Sequence, residues 1–233
     1  MATFTTTGTV SSPLDLSKVQ GEHANVSLSS NKKNVQPAVK VTLTSLTPHN
    51  SGTLRKINSV VIPIVYSDSF YKDMLDPNLD DANKLIYYAD IPVGAICSKF
   101  DNLKKGSKEP PTLVILTLAI LAPYRSLSLG TSLLRHALHA ALHPPEPSAP
   151  APSDKKTNTR AQLAKPETRP PVNRALVHVQ VGNEGAKKFY ERLGFKETGI
   201  EDNYYSKMEP RGAILMVCED IAAAIGDASN NQV

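Results

Sequence analysis

Residues 118–130 read Leu118-Ala-Ile-Leu-Ala-Pro-Tyr-Arg-Ser-Leu-Ser-Leu-Gly130, and this stretch decides the fold. Upstream of it, Thr112–Leu121 is apolar on both faces and rich in β-forming residues, the pattern of a strand buried in the middle of a sheet. Downstream, Thr131 to about Leu142 repeats its apolar residues with helical period. The stretch is therefore a central strand, a tight turn over Arg125–Gly130, and a helix. Unpaired amides converge at a helix N-terminus, where the helix dipole adds about half a positive charge, so such a turn suits an anion. Arg125 would strengthen it for a pyrophosphate. Taken alone, an Arg-Ser-Leu-Ser turn serves equally well as a plain helix start.

A second unit of the same kind follows. Arg174–Val181 reads as another central strand, Gly182-Asn183 opens an amphipathic helix carrying Ala186, Phe189, Tyr190 and Leu193, and Gly194 ends it in the usual C-terminal position. Ahead of the first unit, Val39, Val41, Leu43 and Leu46 make a strand. Thr47-Pro48 then fits an N-cap with proline at the first helical position. That helix carries Leu54, Ile57 and Val61 and stops before Pro63. Ser67-Asp68 caps a short helix through Phe70, Tyr71 and Met74. Lys84–Ala89 and Val93–Phe100 form a hairpin through Asp90-Ile91-Pro92. Two strands, Phe195–Ile200 and Ala213–Cys218, close the pattern around the loop Asp202–Met208. Counted generously, the order is ββ-αα-βββ-α-β-α-ββ, a mixed α/β layer fold.

Composition bounds the rest. The chain has 233 residues, 40% of them apolar and 21% charged, enough to bury a core. Its 18 prolines are uneven: eight fall between Pro144 and Pro171, where aromatic residues are absent. A folded body over 38–220 is thus expected to carry a polar, flexible insert at 143–173, a flexible arm at 1–37 and a tail at 221–233. The net charge of +4 is mild, and the basic runs lack interleaved aromatics, which argues against nucleic acid as a partner. Cys97 and Cys218 each lie in an apolar run, as buried thiols in a reducing compartment do, and two cysteines are too few for a zinc site. No metal is expected. The start of the chain lacks the basic and apolar segments of a signal peptide, and no run spans a bilayer, so the expected address is cytosolic with nuclear access open.

Taken together, Leu118–Gly130 and Asn183-Glu-Gly-Ala-Lys-Lys-Phe-Tyr-Glu-Arg-Leu-Gly-Phe195 resemble the acyl-CoA-binding halves of the GNAT acetyltransferases. Further blocks narrow the resemblance: Leu46-Thr-Pro-His-Asn50, Pro63-Ile-Val-Tyr-Ser-Asp-Ser-Phe-Tyr-Lys-Asp73, Ala122-Pro-Tyr-Arg125, Val177-His-Val-Gln-Val181 and Asn203-Tyr-Tyr205. In order, they are similar to the NatE catalytic subunits, the San family of N-terminal α-acetyltransferases. The resemblance implies the GNAT fold, an α/β fold whose mixed, mostly antiparallel sheet has splayed parallel central strands flanked by helices. It implies acetyl-CoA as cosubstrate, with pantetheine in the wedge beside Leu118 and Ile120. The pyrophosphate would meet the backbone of Arg125, Ser126, Leu127, Ser128, Leu129, Gly130 and Thr131. Asn183 and Ala186 would touch the cofactor arm, and Tyr190 would protonate the leaving thiolate. His178 would be the general base. Ile62, Pro63, Ile64, Tyr66 and Leu116 would hold a hydrophobic first residue such as Met, under a lid of Tyr204 and Tyr205. By the residues alone, Asn183 is also a helix cap, Tyr190 a core aromatic, His178 a core histidine and Tyr204-Tyr205 a hairpin tip.

Three positions depart from the family pattern: Ser128 stands where glycine is usual, Val114 where a tyrosine partners the histidine, and Ile62 where an aromatic is usual. A side chain forced into a left-handed turn costs about 1–3 kcal/mol. An alternative is therefore a weakened or inactive GNAT subunit with a scaffolding role in a ribosome-associated complex. A GNAT enzyme acting on small amines or internal lysines is a third reading, which the tyrosine-rich lid opposes. The partners implied by resemblance are nascent polypeptide N-termini, a large ribosome-anchoring auxiliary subunit and a second catalytic subunit. Neither a membrane nor a specific nucleic-acid sequence is among them.

Overall fold

The structure, a computed structural model, describes residues 39–104, 106–145 and 169–227. The arm expected over 1–37 and residues 146–168 of the expected insert lie outside the described residues. The elements are β1 (Val41–Ser45), α1 (Ser51–Val61), α2 (Asp68–Asp73), β2 (Lys84–Tyr88), β3 (Ile91–Asp101), β4 (Thr112–Ile120), α3 (Leu129–Leu142), β5 (Ala175–Gln180), α4 (Glu184–Glu191), β6 (Lys196–Glu201), β7 (Ala213–Cys218) and α5 (Ile221–Ile225). They form one seven-stranded sheet in the order β1-β2-β3-β4-β5-β7-β6, antiparallel throughout except at β4 and β5. This is the splayed mixed sheet that the sequence resemblance implies.

Successive residues of a strand face opposite sides, so the central strands, apolar on both faces, feed two cores. On one side Ile86, Ile96, Leu113, Ile115, Val177 and Met216 pack with Leu133, Leu134 and Leu138 of α3. On the other, Leu85, Ala95, Cys97 and Ala119 pack with Leu54 and Ile57 of α1 and Tyr71 of α2. Cys97 lies in this second core, and burial pushes its thiol up to about 12; Cys218 is buried too, and neither is bridged. Gly94 is required where β3 pairs with β4 opposite Ile120, since a Cβ there would come 2.6 Å from the carbonyl oxygen of Ala119. Among the described residues no helix is long and apolar enough to cross a membrane.

Several boundaries differ from the sequence expectation. A single strand, not two, precedes α1. Thr47-Pro48 does not begin α1; the helix starts at Ser51 behind Asn50. Asn50 accepts from the Thr47 N–H through Oδ1 (2.8 Å) and donates through Nδ2 to the Ser45 carbonyl (2.8 Å), which holds residues 47–50 in a turn against the end of β1. Helix α3 begins at Leu129, two residues early, because Ser128 itself takes a left-handed conformation and reverses the chain there. The expected tail carries α5, capped by Asp220, with Ile221 fully buried. The last residues of the expected insert also belong to the packed body. Val172 is fully buried and its N–H donates to the Ala141 carbonyl (2.8 Å). The Arg169 guanidinium lies 4.0 Å over the Phe100 ring, pairs with the Asp81 carboxylate, and donates to the Ala140 carbonyl (2.6 Å).

Candidate active site

β4 and β5 run side by side for three residue pairs, Leu113 with Ala175, Val114 with Leu176 and Ile115 with Val177, and there the ladder ends. Both strands continue, to Ile120 and Gln180, with no pairing across the gap. The cause lies partly in β4. Against β3, Thr117 pairs with Cys97 and Ile115 with Ser98, so Leu116 is an extra residue with no opposite number. Such a bulge bends its strand, and here it sits where the ladder stops. The result is a cleft of about 1690 Å³ running between the two strands. Of the site residues named from the sequence, all but Leu127 line it; Leu127 packs against the core on the α3 side instead.

At one mouth lies the Arg125–Gly130 turn. Ser126 (φ 63°) and Ser128 (φ 60°) both adopt the left-handed conformation. Leu129, Gly130 and Thr131, the first residues of α3, line the cleft beside them. Ser128 spends its own carbonyl on Ser132, accepting from the backbone N–H (2.9 Å) and from Oγ (3.1 Å). Arg125 turns back, donating through Nε to the Ile120 carbonyl (3.1 Å). The ring of Phe189 covers Gly130, 3.6 Å from where a Cβ would stand. Asn183 caps α4, accepting from the Ala186 N–H (3.1 Å), so its capping role is realised at the cleft edge. Tyr190 is both core and cleft residue: it is buried against Phe189 and Phe195, and burial first, then the nearby Tyr205, raises its proton affinity, so its hydroxyl stays protonated.

The other mouth is assembled from side chains. The imidazole of His178 stacks on the Tyr204 ring at 4.2 Å and 14°. Its Nε2 lies 3.1 Å from a Glu201 carboxylate oxygen. Gln180 pairs with Ala213 and Ala213 with Glu201, which sets the end of β6 two strands from β5. Tyr205 donates from its hydroxyl to the His178 carbonyl (3.4 Å), and its own N–H is held by the Arg211 carbonyl (2.9 Å). Across the cleft, Tyr66 stacks on Phe70 at 4.4 Å. Burial, with Tyr205, Cys97, Tyr204 and Tyr71 nearby, raises the Tyr66 proton affinity well above that of free tyrosine. Burial and Tyr204 push Tyr205 up to about 12, so all three phenols are neutral hydrogen-bonding groups. Val114 stands in the cleft wall, buried and without a hydroxyl.

Sequence reasoning missed Glu201, Phe70 and Phe189. Glu201 reaches His178 only through the β5–β7–β6 register, which no local pattern announces. Phe189 falls one residue from Tyr190 on an amphipathic helix, and Phe70 lies within a quoted block, so both had a signal.

Residues 53–145 match the Acetyltransferase (GNAT) family. The chain is 34% identical over 174 residues to N-alpha-acetyltransferase 50 of Danio rerio, covering 75% of this chain and 85% of that protein. It is likewise 34% identical over 173 residues to the probable N-acetyltransferase san of Drosophila melanogaster, covering 74% of this chain and 77% of the relative. Among solved structures it is similar to Arabidopsis thaliana Naa50 in complex with the bisubstrate analogue CoA-Ac-MVNAL, with a TM-score of 0.57, 31% identity, and coverage of 76% of this chain and 97% of that one. The parallel pair that opens at Ile115, the left-handed turn before α3 and these relatives agree: the chain belongs to the GNAT acetyltransferase family.

Proposed function

We propose that this chain transfers the acetyl group of acetyl-CoA to the α-amine of polypeptide N-termini, with methionine as the favoured first residue. The observation that carries the reading is the opening of β4 from β5 beyond Ile115 and Val177, with a helix N-terminus at one mouth and His178 at the other.

Acetyl-CoA supplies an acyl carbon activated as a thioester. The unpaired edges of β4 and β5 suit a linear, amide-bearing arm, which adds to them as a strand would. The amides of Leu129, Gly130 and Thr131 have no partner within the first turn of α3 and suit phosphate oxygens. An α-amine has a pKa of about 8, so a modest base suffices near neutrality. With Nε2–H donating to Glu201, Nδ1 of His178 holds the lone pair that takes the amine proton, directly or through one water. The Tyr190 hydroxyl, protonated by burial, donates to the departing sulfur. Ile62, Pro63, Ile64, Tyr66 and Leu116 give the acceptor end an apolar wall suited to a methionine side chain. The Met-starting analogue held by Arabidopsis Naa50 supports that preference. Tyr204 and Tyr205 narrow the mouth to a chain end. By family resemblance, a large ribosome-anchoring subunit and a second catalytic subunit are its partners.

Two observations favour a second reading, a weakened subunit that scaffolds: Ser128 is left-handed where glycine would be relaxed, and Val114 offers His178 no hydroxyl. Calorimetric titration with acetyl-CoA, followed by mass spectrometry of a Met-starting peptide, separates the two. Binding with time-dependent addition of one acetyl group to the peptide's α-amine is expected. Absence of heat at high protein concentration would sink the enzyme reading.

A further inference from the structure

At the far end of α3 from the cleft, His139 and His143 lie four residues apart and so on one face of the helix. Their rings are 4.5 Å apart between centroids and tilted by 41°. α5 ends against them. Gly226, left-handed at φ 73°, turns the chain, and the Asp227 N–H donates to the Ala222 carbonyl (2.9 Å). This sets the Asp227 carboxylate 2.6 Å from Nε2 of His143. One ligand atom from each of the three residues lies within 4.8 Å of the others.

We infer that His139, His143 and Asp227 form a binding site for a divalent ion of the zinc, nickel and copper class, separate from the acyl-transfer cleft. The donor set selects that class. Two imidazoles and one carboxylate suit these ions, whereas magnesium and calcium require oxygen ligands. Two histidines at i and i+4 on a helix present their ring nitrogens to one point, as in helical zinc motifs. A tetrahedral ion with bonds of about 2.0–2.1 Å needs ligand atoms about 3.3 Å apart. His143 is half-exposed and free to swing away from the more buried Asp227, and His139 is exposed, so the three can adjust from their 4.8 Å separation toward that spacing. Solvent supplies the fourth ligand. The C-terminal end of α3 carries partial negative charge, which favours a cation there.

An ion at this point ties the last turn of α3 to the end of α5, which otherwise docks through buried Ile221 and the Arg135 bond to the Ile225 carbonyl (3.4 Å). The 14 residues of α3 rise about 21 Å, so the ion is remote from the Ser128 turn and takes no part in transfer. Its effect is on how firmly the C-terminal helix is held.

The test uses the untagged full-length chain at pH 7.5, titrated calorimetrically with zinc chloride and, in parallel, magnesium chloride. One zinc per chain is expected, with a dissociation constant on the order of 1–10 µM for a three-ligand site. His139→Ala and Asp227→Asn should each weaken binding by about tenfold or more, and His178→Ala should leave it unchanged. Equal zinc affinity in His139→Ala, equal competition by magnesium, or no heat with zinc would each overturn the site. A readout on the unsubstituted protein guards against variants that fold poorly: nickel(II) should broaden the imidazole NMR signals of His139 and His143 before those of His136 and His178. The reverse order, or uniform broadening, would contradict the assignment.

Discussion

At the mouth proposed for the cofactor the backbone does the positioning. The strand end, two left-handed serines and the first amides of α3 form the concave edge, and side chains such as Arg125 are turned aside onto the scaffold. At the mouth proposed for the acceptor the positions are reversed. Glu201 at the end of β6 and Tyr204 in the loop before β7 converge on the His178 imidazole of β5, while Tyr205 donates to the His178 carbonyl. A backbone-built mouth tolerates changes of side chain provided the φ values survive. A side-chain-built mouth depends on each contact: here Glu201 lies 3.1 Å from His178 Nε2, and Val114 in the cleft wall offers no hydroxyl.

Substitutions at the two mouths should act differently. The largest effect belongs to His178→Ala, expected to lower kcat/KM for a Met-starting peptide by about 10²–10³-fold while acetyl-CoA binding, measured by calorimetry, stays within about twofold. A matching loss of acetyl-CoA affinity would erase the division between the mouths. Glu201→Ala should lower kcat by about two- to fivefold with acetyl-CoA affinity unchanged, because a half-exposed carboxylate contributes about 0.2–1 kcal/mol to its partner. Steady-state kinetics showing an unaltered kcat would mean that the contact is idle.

Ser128→Gly acts on the other mouth. Relief of a left-handed side chain, offset by the greater freedom of glycine in the unfolded chain, should leave about 1 kcal/mol of stabilisation, a rise of about 2–4 °C in Tm. Acetyl-CoA should bind somewhat more tightly and the peptide KM should not move. A fall in Tm on thermal unfolding would show that the serine side chain contributes what the geometry does not reveal.

The smallest effect concerns the scaffold, against which any pH profile of the acceptor mouth must be compared. His136 on α3 meets the Asp81 carbonyl through Nε2 (2.8 Å), and burial, then Lys84, lower its proton affinity. The unfolded chain therefore binds that proton more readily, and the stability His136 confers is present above about pH 6.5 and lost as pH falls below it. His136→Gln, which can still donate to the carbonyl, should flatten the decline in unfolding midpoint between pH 7.5 and 5.5. An unchanged slope would remove His136 as a source.

What the sequence made legible follows the same division. β4, the turn and α3 lie next to one another in the chain, so strand, turn and helix could be read from local pattern, whereas the left-handed Ser128 that starts α3 early needed the geometry. His178 and the Tyr204-Tyr205 lid were visible as residues, but the hydrogen bond from Glu201 depends on strand registers set by residues far apart in the chain. Packing over distance also explains the boundary differences. Asn50 closes a turn because Ser45 is beside it, and Arg169 and Ile221 are held by surfaces that composition alone cannot see, the first on Phe100 and the second in the core under α3.

On the proposed function the two mouths serve one transfer in one cleft. A bisubstrate compound, coenzyme A joined through an acetyl group to the α-amine of a Met-starting peptide, tests it in a single calorimetric titration. One compound should bind per chain, at least about 100-fold more tightly than acetyl-CoA alone, since linking two ligands makes the second binding intramolecular. Affinity no greater than that of acetyl-CoA would contradict it, because the acceptor mouth would then contribute nothing to binding the chain end.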